Sequence, residues 1–148
     1  MHPSDETKAL KRAGQKAGQG MGQVLVMDDE ESIRNLAKDL LLFCGYEVAV
    51  ARHGAEALLM YKEAMNDGRP FDAVIMDLDI PGGMGGNETI RELLTCDPEA
   101  YAIASSGNFC NPTMLDYERF GFKGVLPKPY GPQQLTVVLE NALRSKRA

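Results

Sequence analysis

Asp28 and Asp29 follow the apolar run from Val24 to Met27, and Asp77 follows a second run that ends at Met76. Ser105 and Ser106 follow Tyr101-Ala102-Ile103-Ala104, and Lys128 comes just after Gly124-Val125-Leu126. Brought together, three carboxylates repel: at about 4 Å and an effective dielectric near 20, each pair costs roughly 4 kcal/mol. Either their pKa values rise or a cation neutralises them. A hard divalent ion such as magnesium suits an all-oxygen site, using one or two carboxylates with waters and phosphate oxygens. The aspartates therefore predict a metal, and the metal predicts a phosphoryl ligand. Lys128 offers a mobile positive charge and Ser106 a hydroxyl donor to a phosphoryl oxygen. The Asp77 carboxylate can act as an in-line nucleophile that forms an acyl phosphate.

Singly, each residue has a plainer reading. An aspartate pair after a strand caps a helix, a serine at a strand end makes a local hydrogen bond, and a Lys-Pro pair is loop. The elements between them decide the matter. Val24 to Met27 reads as a buried parallel strand. Ile33, Leu36, Ala37, Leu40 and Leu41 then form one helical face that Gly45 can end. Val48 to Val50 is a second strand, and Ala55, Leu58 and Leu59 a second helix before the turn at 66–70. Phe71 to Met76 is the third strand, and Ile90, Leu93 and Leu94 mark a short third helix. Tyr101 to Ala104 is the fourth strand. Asn111 and Pro112 open a fourth helix as cap and first-turn residue, and Gly124 to Leu126 is a brief fifth strand. Leu135, Val138, Leu139 and Ala142 give a last helix, with a basic end at 144–147 that suits a helix C-terminus.

Five strands alternating with five helices imply an α/β fold, a parallel sheet covered on both faces. In such sheets ligands lie beyond the carboxyl ends of the strands, at a topological switch point. The ends of strands one, three, four and five carry Asp28 and Asp29, Asp77, Ser106, and Lys128. That coincidence raises the joint reading above the separate ones. Strand alternation puts Ser105 and Ser106 on opposite faces, and the spacing to Lys128 favours Ser106 as the working hydroxyl.

The bulk properties agree. The chain of 148 residues is 44% hydrophobic and 25% charged, enough for one domain with its own core. A net charge of −5 argues against a nucleic-acid partner, which needs a clustered basic face. Cys44, Cys96 and Cys110 are widely spaced and form no C-x-x-C pair, so buried free thiols in a reducing cytoplasm are expected. No apolar run approaches the roughly 20 residues that span a bilayer, and no membrane contact is expected. Residues 1–22 read as a flexible leader or linker, with a short helix from Asp5 to Ala13 capped by Ser4 as its one structural option. Residues 23–148 form the domain. Gly18 to Gly22 looks superficially like a phosphate-cradling loop but precedes the first strand, which is the wrong context. His53, with no His or Cys nearby, is expected to be exposed or to make a local hydrogen bond.

The segments VLVMDDEESIR (24–34), VIMDLDIPGG (74–83), AIASSG (102–107) and GVLPKPY (124–130) resemble the receiver domain of two-component response regulators, in order and in spacing. The resemblance runs from about Gln23 to Arg144. The GGMGG stretch (82–86), SSGN and FKGVLPKPY look most like receivers attached to hybrid sensor histidine kinases. It implies a flavodoxin-like doubly wound sheet of order 2-1-3-4-5. It also implies that Asp77 accepts a phosphoryl group from a phosphohistidine on a sensor histidine kinase or histidine phosphotransfer protein. Asp29 would bind magnesium (or manganese) directly and Asp28 through water, with Asp77 and the backbone carbonyl of Asp79 completing the ligands. Ser106 would move to the phosphoryl group and Lys128 pair with it, and the Lys128-Pro129 peptide is expected to be cis. Such a domain catalyses only its own phosphorylation and dephosphorylation, works in the cytoplasm, and has room for a weak homodimer.

Three features depart from the family pattern. Val125 stands where a switch aromatic is usual, which puts in doubt aromatic-coupled signalling through the face formed by helix four, strand five and helix five. The Asp79 side chain adds negative charge near the site, able to slow or redirect attacking water. The glycine loop at 82–86 is either merely flexible or shaped for a partner. Two other functions compete. Asp77-Leu78-Asp79 resembles the D-x-D motif of haloacid-dehalogenase-type phosphatases, but the acidic pair lies upstream rather than after the lysine. A pseudo-receiver acting only as a binding module would have lost an acidic residue or the lysine. The chain ends four residues after Arg144, so a stand-alone regulator, a relay element or a hybrid-kinase domain is expected.

Overall fold

The computed structural model describes residues 21–108 and 110–147. The leader, with the helix expected at Asp5 to Ala13, lies outside the described residues apart from 21 and 22. Five parallel strands, β1 (Gln23–Met27), β2 (Glu47–Ala51), β3 (Ala73–Asp77), β4 (Ala102–Ser105) and β5 (Gly124–Val125), lie in the order β2-β1-β3-β4-β5. Between and after them run α1 (Glu31–Phe43), α2 (Gly54–Asn66), α3 (Gly86–Cys96), α4 (Pro112–Leu115) and α5 (Pro132–Arg147), with a 3₁₀ turn at Tyr117–Phe120. This is the expected flavodoxin-like arrangement.

Period-two alternation sends successive side chains to opposite faces of the sheet, and both faces are covered. Val24 and Val26 of β1, with Ala73 and Ile75 of β3, pack with Ala37 and Leu41 of α1 and with Leu135 and Leu139 of α5. Leu25, Met27, Val74 and Met76 point the other way, into a cluster with Leu58 and Tyr61 of α2, Leu93 of α3 and Met114 of α4. Because β1, β3 and β4 are buried on both sides, their sequences read as nearly continuous apolar runs, while the edge strand β2 is half-buried along most of its length. Polar residues appear only where the run ends.

Local signals account for most boundaries. Gly45, at φ 93°, takes the left-handed conformation that lets the chain leave α1 after Phe43. His53 caps α2 by accepting from the Glu56 N–H at 3.3 Å, the local hydrogen bond its isolation suggested. Asn111 caps α4 by accepting from the Thr113 N–H at 2.9 Å. Yet α4 lasts only four residues before the backbone leaves helical geometry at Asp116, an end that its Asn-Pro opening did not mark. The cysteines also differ from expectation. All three are free, but Cys44 and Cys96 are half-buried and Cys110 is exposed, because each lies at or beyond an element's end rather than on its core face. Among the described residues no helix is long and apolar enough to cross a membrane.

Candidate functional site

The strand register assembles the site. Met27 of β1 pairs with Met76 of β3, so the next residues, Asp28 and Asp77, emerge side by side on strands spaced about 4.8 Å apart. On the other flank Asp77 pairs with Ser105 of β4. The Lys128 N–H donates to the Ser106 carbonyl at 2.9 Å, fixing the turn after β5 against the end of β4. The Lys128-Pro129 peptide is cis, as expected. Asp28 is held from below by its backbone: its N–H donates to the Ala51 carbonyl and its own carbonyl accepts from Arg34 Nη1 at 2.8 Å.

Carboxylate oxygens of Asp28, Asp29 and Asp77 all lie within 4.8 Å of one another. Asp28 and Asp77 are buried and Asp29 is exposed. The Lys128 ammonium bridges the buried pair, at 2.7 Å from Asp28 Oδ2 and 3.2 Å from Asp77 Oδ1. The lysine is thus a fixed counter-ion, 14% exposed, rather than the mobile charge its loop position suggested. Against three carboxylates one ammonium is not enough. Burial is the main reason the Asp77 carboxyl is pushed up to about 6; the neighbouring Asp28 charge adds to it, while the Asp79 N–H and Lys128 work the other way. Burial opposes the Lys128 ammonium, but its hydrogen bond to Asp28 and the charges of Asp77 and Asp28 outweigh that and hold its pKa above the usual value.

Asp77 is 1% exposed, and its two oxygens differ. Oδ1 accepts from Lys128 and from the Asp79 N–H at 3.0 Å. Oδ2 is buried with no hydrogen-bond partner among the described residues. A buried acceptor left unmet costs on the order of 1–3 kcal/mol, more when charged, and such an orphan calls for a cation or a covalent bond. The donor set, all oxygen and net negative beside the ammonium, suits magnesium. The residues present therefore fit the ion.

The two serines separate as alternation requires. Ser105 donates to the Leu126 carbonyl at 2.7 Å and is wholly internal. Ser106 faces the loops, where its hydroxyl donates to Asp79 Oδ2 at 2.6 Å and accepts from the Asn108 N–H at 3.0 Å. The side-chain role of Asp79 had no sequence signal beyond its place two residues after Asp77. The glycine loop is not merely loose. Gly54 N–H donates to the Met84 carbonyl at 2.8 Å, and a Cβ at Gly86 would come within 3.2 Å of the Asp77 carbonyl oxygen and 2.7 Å of Leu78 Cδ2. Glycine is needed for α3 to start this close to the acceptor strand. Val125, half-buried against the core, lines a groove of about 530 Å³ with Tyr101, Tyr117 and Val137.

This constellation can be compared with known proteins. The family model of the response regulator receiver domain matches residues 24–140, taking in β2 to β5, all of β1 but Gln23, and all the clustered aspartates. The chain belongs to this family. As a receiver domain it is 34% identical over 118 residues to the chemotaxis protein CheY of Thermotoga maritima, covering 79% of this chain and 93% of that one. It is 30% identical to the chemotaxis protein CheY of Bacillus subtilis, over 82% of this chain and 97% of that one. Among solved structures, a response regulator receiver domain protein from Clostridium thermocellum superposes with a TM-score of 0.77 at 29% identity, over 85% of this receiver and 97% of that chain. Membership supports a signalling role as a phosphoacceptor.

Proposed function

We propose that this receiver takes a phosphoryl group onto Asp77 from a phosphohistidine on a sensor histidine kinase or histidine phosphotransfer protein, in a magnesium-dependent reaction in the cytoplasm. The observation that carries the reading is the buried, unpartnered Oδ2 of Asp77 beside two further carboxylates and a lysine. A carboxylate oxygen of Asp77 bonds to phosphorus while the donor's P–N bond breaks, and the histidine imidazole keeps the electron pair and takes a proton. Dephosphorylation reverses the modification: water adds to phosphorus, the bond to Asp77 breaks and inorganic phosphate leaves.

Asp29 and Asp77, with the backbone carbonyl of Asp79 and with Asp28 through water, would hold the magnesium ion. When bound, the ion neutralises the carboxylates and the charge on the phosphoryl oxygens. Lys128 already sits beside Asp77 and pairs with the incoming phosphoryl group without a large search. Ser106 donates its hydroxyl to a phosphoryl oxygen. The chain's only catalysis is then its own phosphorylation and dephosphorylation. It acts as a stand-alone regulator or relay element, or as the receiver of a hybrid histidine kinase. The phosphatase alternative, with Asp79 as general acid, is disfavoured by the engagement of that side chain with Ser106.

Incubation with acetyl phosphate and magnesium tests the reading. The expected result is a mass gain of one phosphoryl group that mild alkali removes and that Asp77→Asn lacks. No gain in the wild-type protein, or an equal gain in Asp77→Asn, overturns it.

A further inference from the structure

Ser106 has one hydroxyl proton, and in this structure that proton is given to Asp79 Oδ2 across 2.6 Å. The lone-pair side of the same oxygen receives the Asn108 N–H at 3.0 Å. The hydroxyl is fully buried, so its orientation is set by these two neighbours. Residue 79 also touches the acceptor itself, its backbone N–H donating to Asp77 Oδ1 at 3.0 Å. One residue therefore ties the phosphoacceptor to the hydroxyl expected to serve it, through its backbone on one side and its carboxylate on the other.

Building on the phosphoacceptor reading, we propose that the Asp79 carboxylate is a latch that holds the Ser106 hydroxyl away from phosphoryl duty until Asp77 is modified. A single proton cannot make a full-strength hydrogen bond to two acceptors at once. For Ser106 to donate to a phosphoryl oxygen, its bond to Asp79 must break, and the freed carboxylate must find water instead. Asp79 is exposed, so water is at hand for it. The latch opposes switching to the extent that a hydrogen bond to a carboxylate outweighs its replacement by water. At this partly solvated position that is about a 10-fold bias toward the unmodified state. Asp79 is thus a positioning residue acting through Ser106, distinct from the metal contact of its backbone carbonyl, which any substitution of the side chain retains.

Beryllofluoride, an analogue of the phosphoryl group, is titrated with magnesium into four proteins carrying all 148 residues: wild type, Asp79→Ala, Ser106→Ala and the double variant. Asp79→Ala is expected to bind about 10-fold more tightly than wild type. In the Ser106→Ala background the same change is expected to gain less than about 2-fold, because the latch has nothing to hold. An equal gain in both backgrounds means the carboxylate acts by direct repulsion and overturns the latch, as does no gain in either. The amide shift of Asn108 gives a second reading without ligand: it moves in Asp79→Ala if the Ser106 hydroxyl is released, and stays put if the latch is absent. Binding by none of the four overturns the phosphoacceptor reading itself, whereas wild-type binding without coupling overturns the latch alone.

Discussion

The two halves of the strand-end site are built differently. On the β1–β3 side, Asp28 and Asp77 leave five-residue strands whose interiors are almost entirely buried, and Lys128 locks them in an ion-paired cluster. On the β4–β5 side the elements are short: β5 has two residues, α4 has four, and a 3₁₀ turn and an open groove follow. Ser106 lies just past the end of β4, its carbonyl tied to the Lys128 N–H and its hydroxyl held by the loop residues Asp79 and Asn108. Under the proposed function, the difference follows from what each half would have to do. Carboxylates that bind a cation and attack phosphorus need fixed geometry, which long buried strands supply. A hydroxyl that changes partners needs an element that opens cheaply, and such segments have few buried contacts.

The largest effect is expected where the fixed half is most strained. Asp77→Asn is expected to abolish phosphoryl uptake, yet it should raise stability at neutral pH. Burial pushes the folded Asp77 carboxyl up to about 6, from the usual aspartate value of 3.8. Between those two values the folded state binds more protons than the unfolded one, so stability falls as pH rises through that window. Above about pH 6 the full cost of ionised Asp77 is present, on the order of 2–3 kcal/mol. The variant's advantage in thermal melts should therefore be greatest at pH 7 and disappear below about pH 4. An advantage that is independent of pH breaks the claim that charge strain is concentrated in this half.

Removing the counter-ion should work in the opposite sense. Lys128→Ala leaves Asp28 and Asp77 buried without their ammonium, which costs about 3 kcal/mol at pH 7. Magnesium replaces part of the lost charge, so the rise in melting temperature on adding it should be larger in the variant than in wild type. Equal magnesium shifts in both proteins would place the ion outside the pair that Lys128 bridges.

The metal also provides a finer comparison. On the proposed metal site, ionised Asp77 would be the form that binds the cation, so magnesium affinity should hold from pH 8 to about 6. Below that it should weaken, by up to about 10-fold per pH unit as protons compete for this carboxyl. Calorimetric titrations at several pH values measure it. A profile that begins to fall only near pH 4 would mean that Asp77 is not the strained carboxylate.

Sequence made the fixed half legible and the labile half only partly so. Asp28, Asp77 and Lys128 could be placed because buried parallel strands read as apolar runs, and the first polar residue after each run lies at the functional edge. The sheet order came from the resemblance to receiver domains, and the choice of Ser106 over Ser105 from strand alternation and the spacing to Lys128. Nothing of that kind describes loops. That Asp79 would reach Ser106, or that Gly86 must clear the Asp77 carbonyl, depends on how the 78–86 loop folds back. Lys128 read as mobile because its pairing depends on two strands distant in sequence. The helix signal at Asn111 and Pro112 was real, but capping residues start a helix without fixing its length, and α4 stops at Asp116.

That short helix is also where the smallest effect is expected. Asn111 holds α4 by accepting from the Thr113 N–H, while the Thr113 hydroxyl donates to Asn87 Oδ1 at 2.8 Å and ties α4 to α3. Asn111→Ala removes the cap and should cost about 1 kcal/mol. If the two halves are separable, the loss stays local: amides from 112 to 125 exchange faster with solvent, while those of β1 and β3, the pH dependence of magnesium binding and the rate of uptake from acetyl phosphate stay as in wild type. Faster exchange spread evenly across β1 and β3 would show one cooperative unit instead. Ser106 would then be as firmly held as Asp77, and the division between a fixed acceptor and a movable hydroxyl would fail.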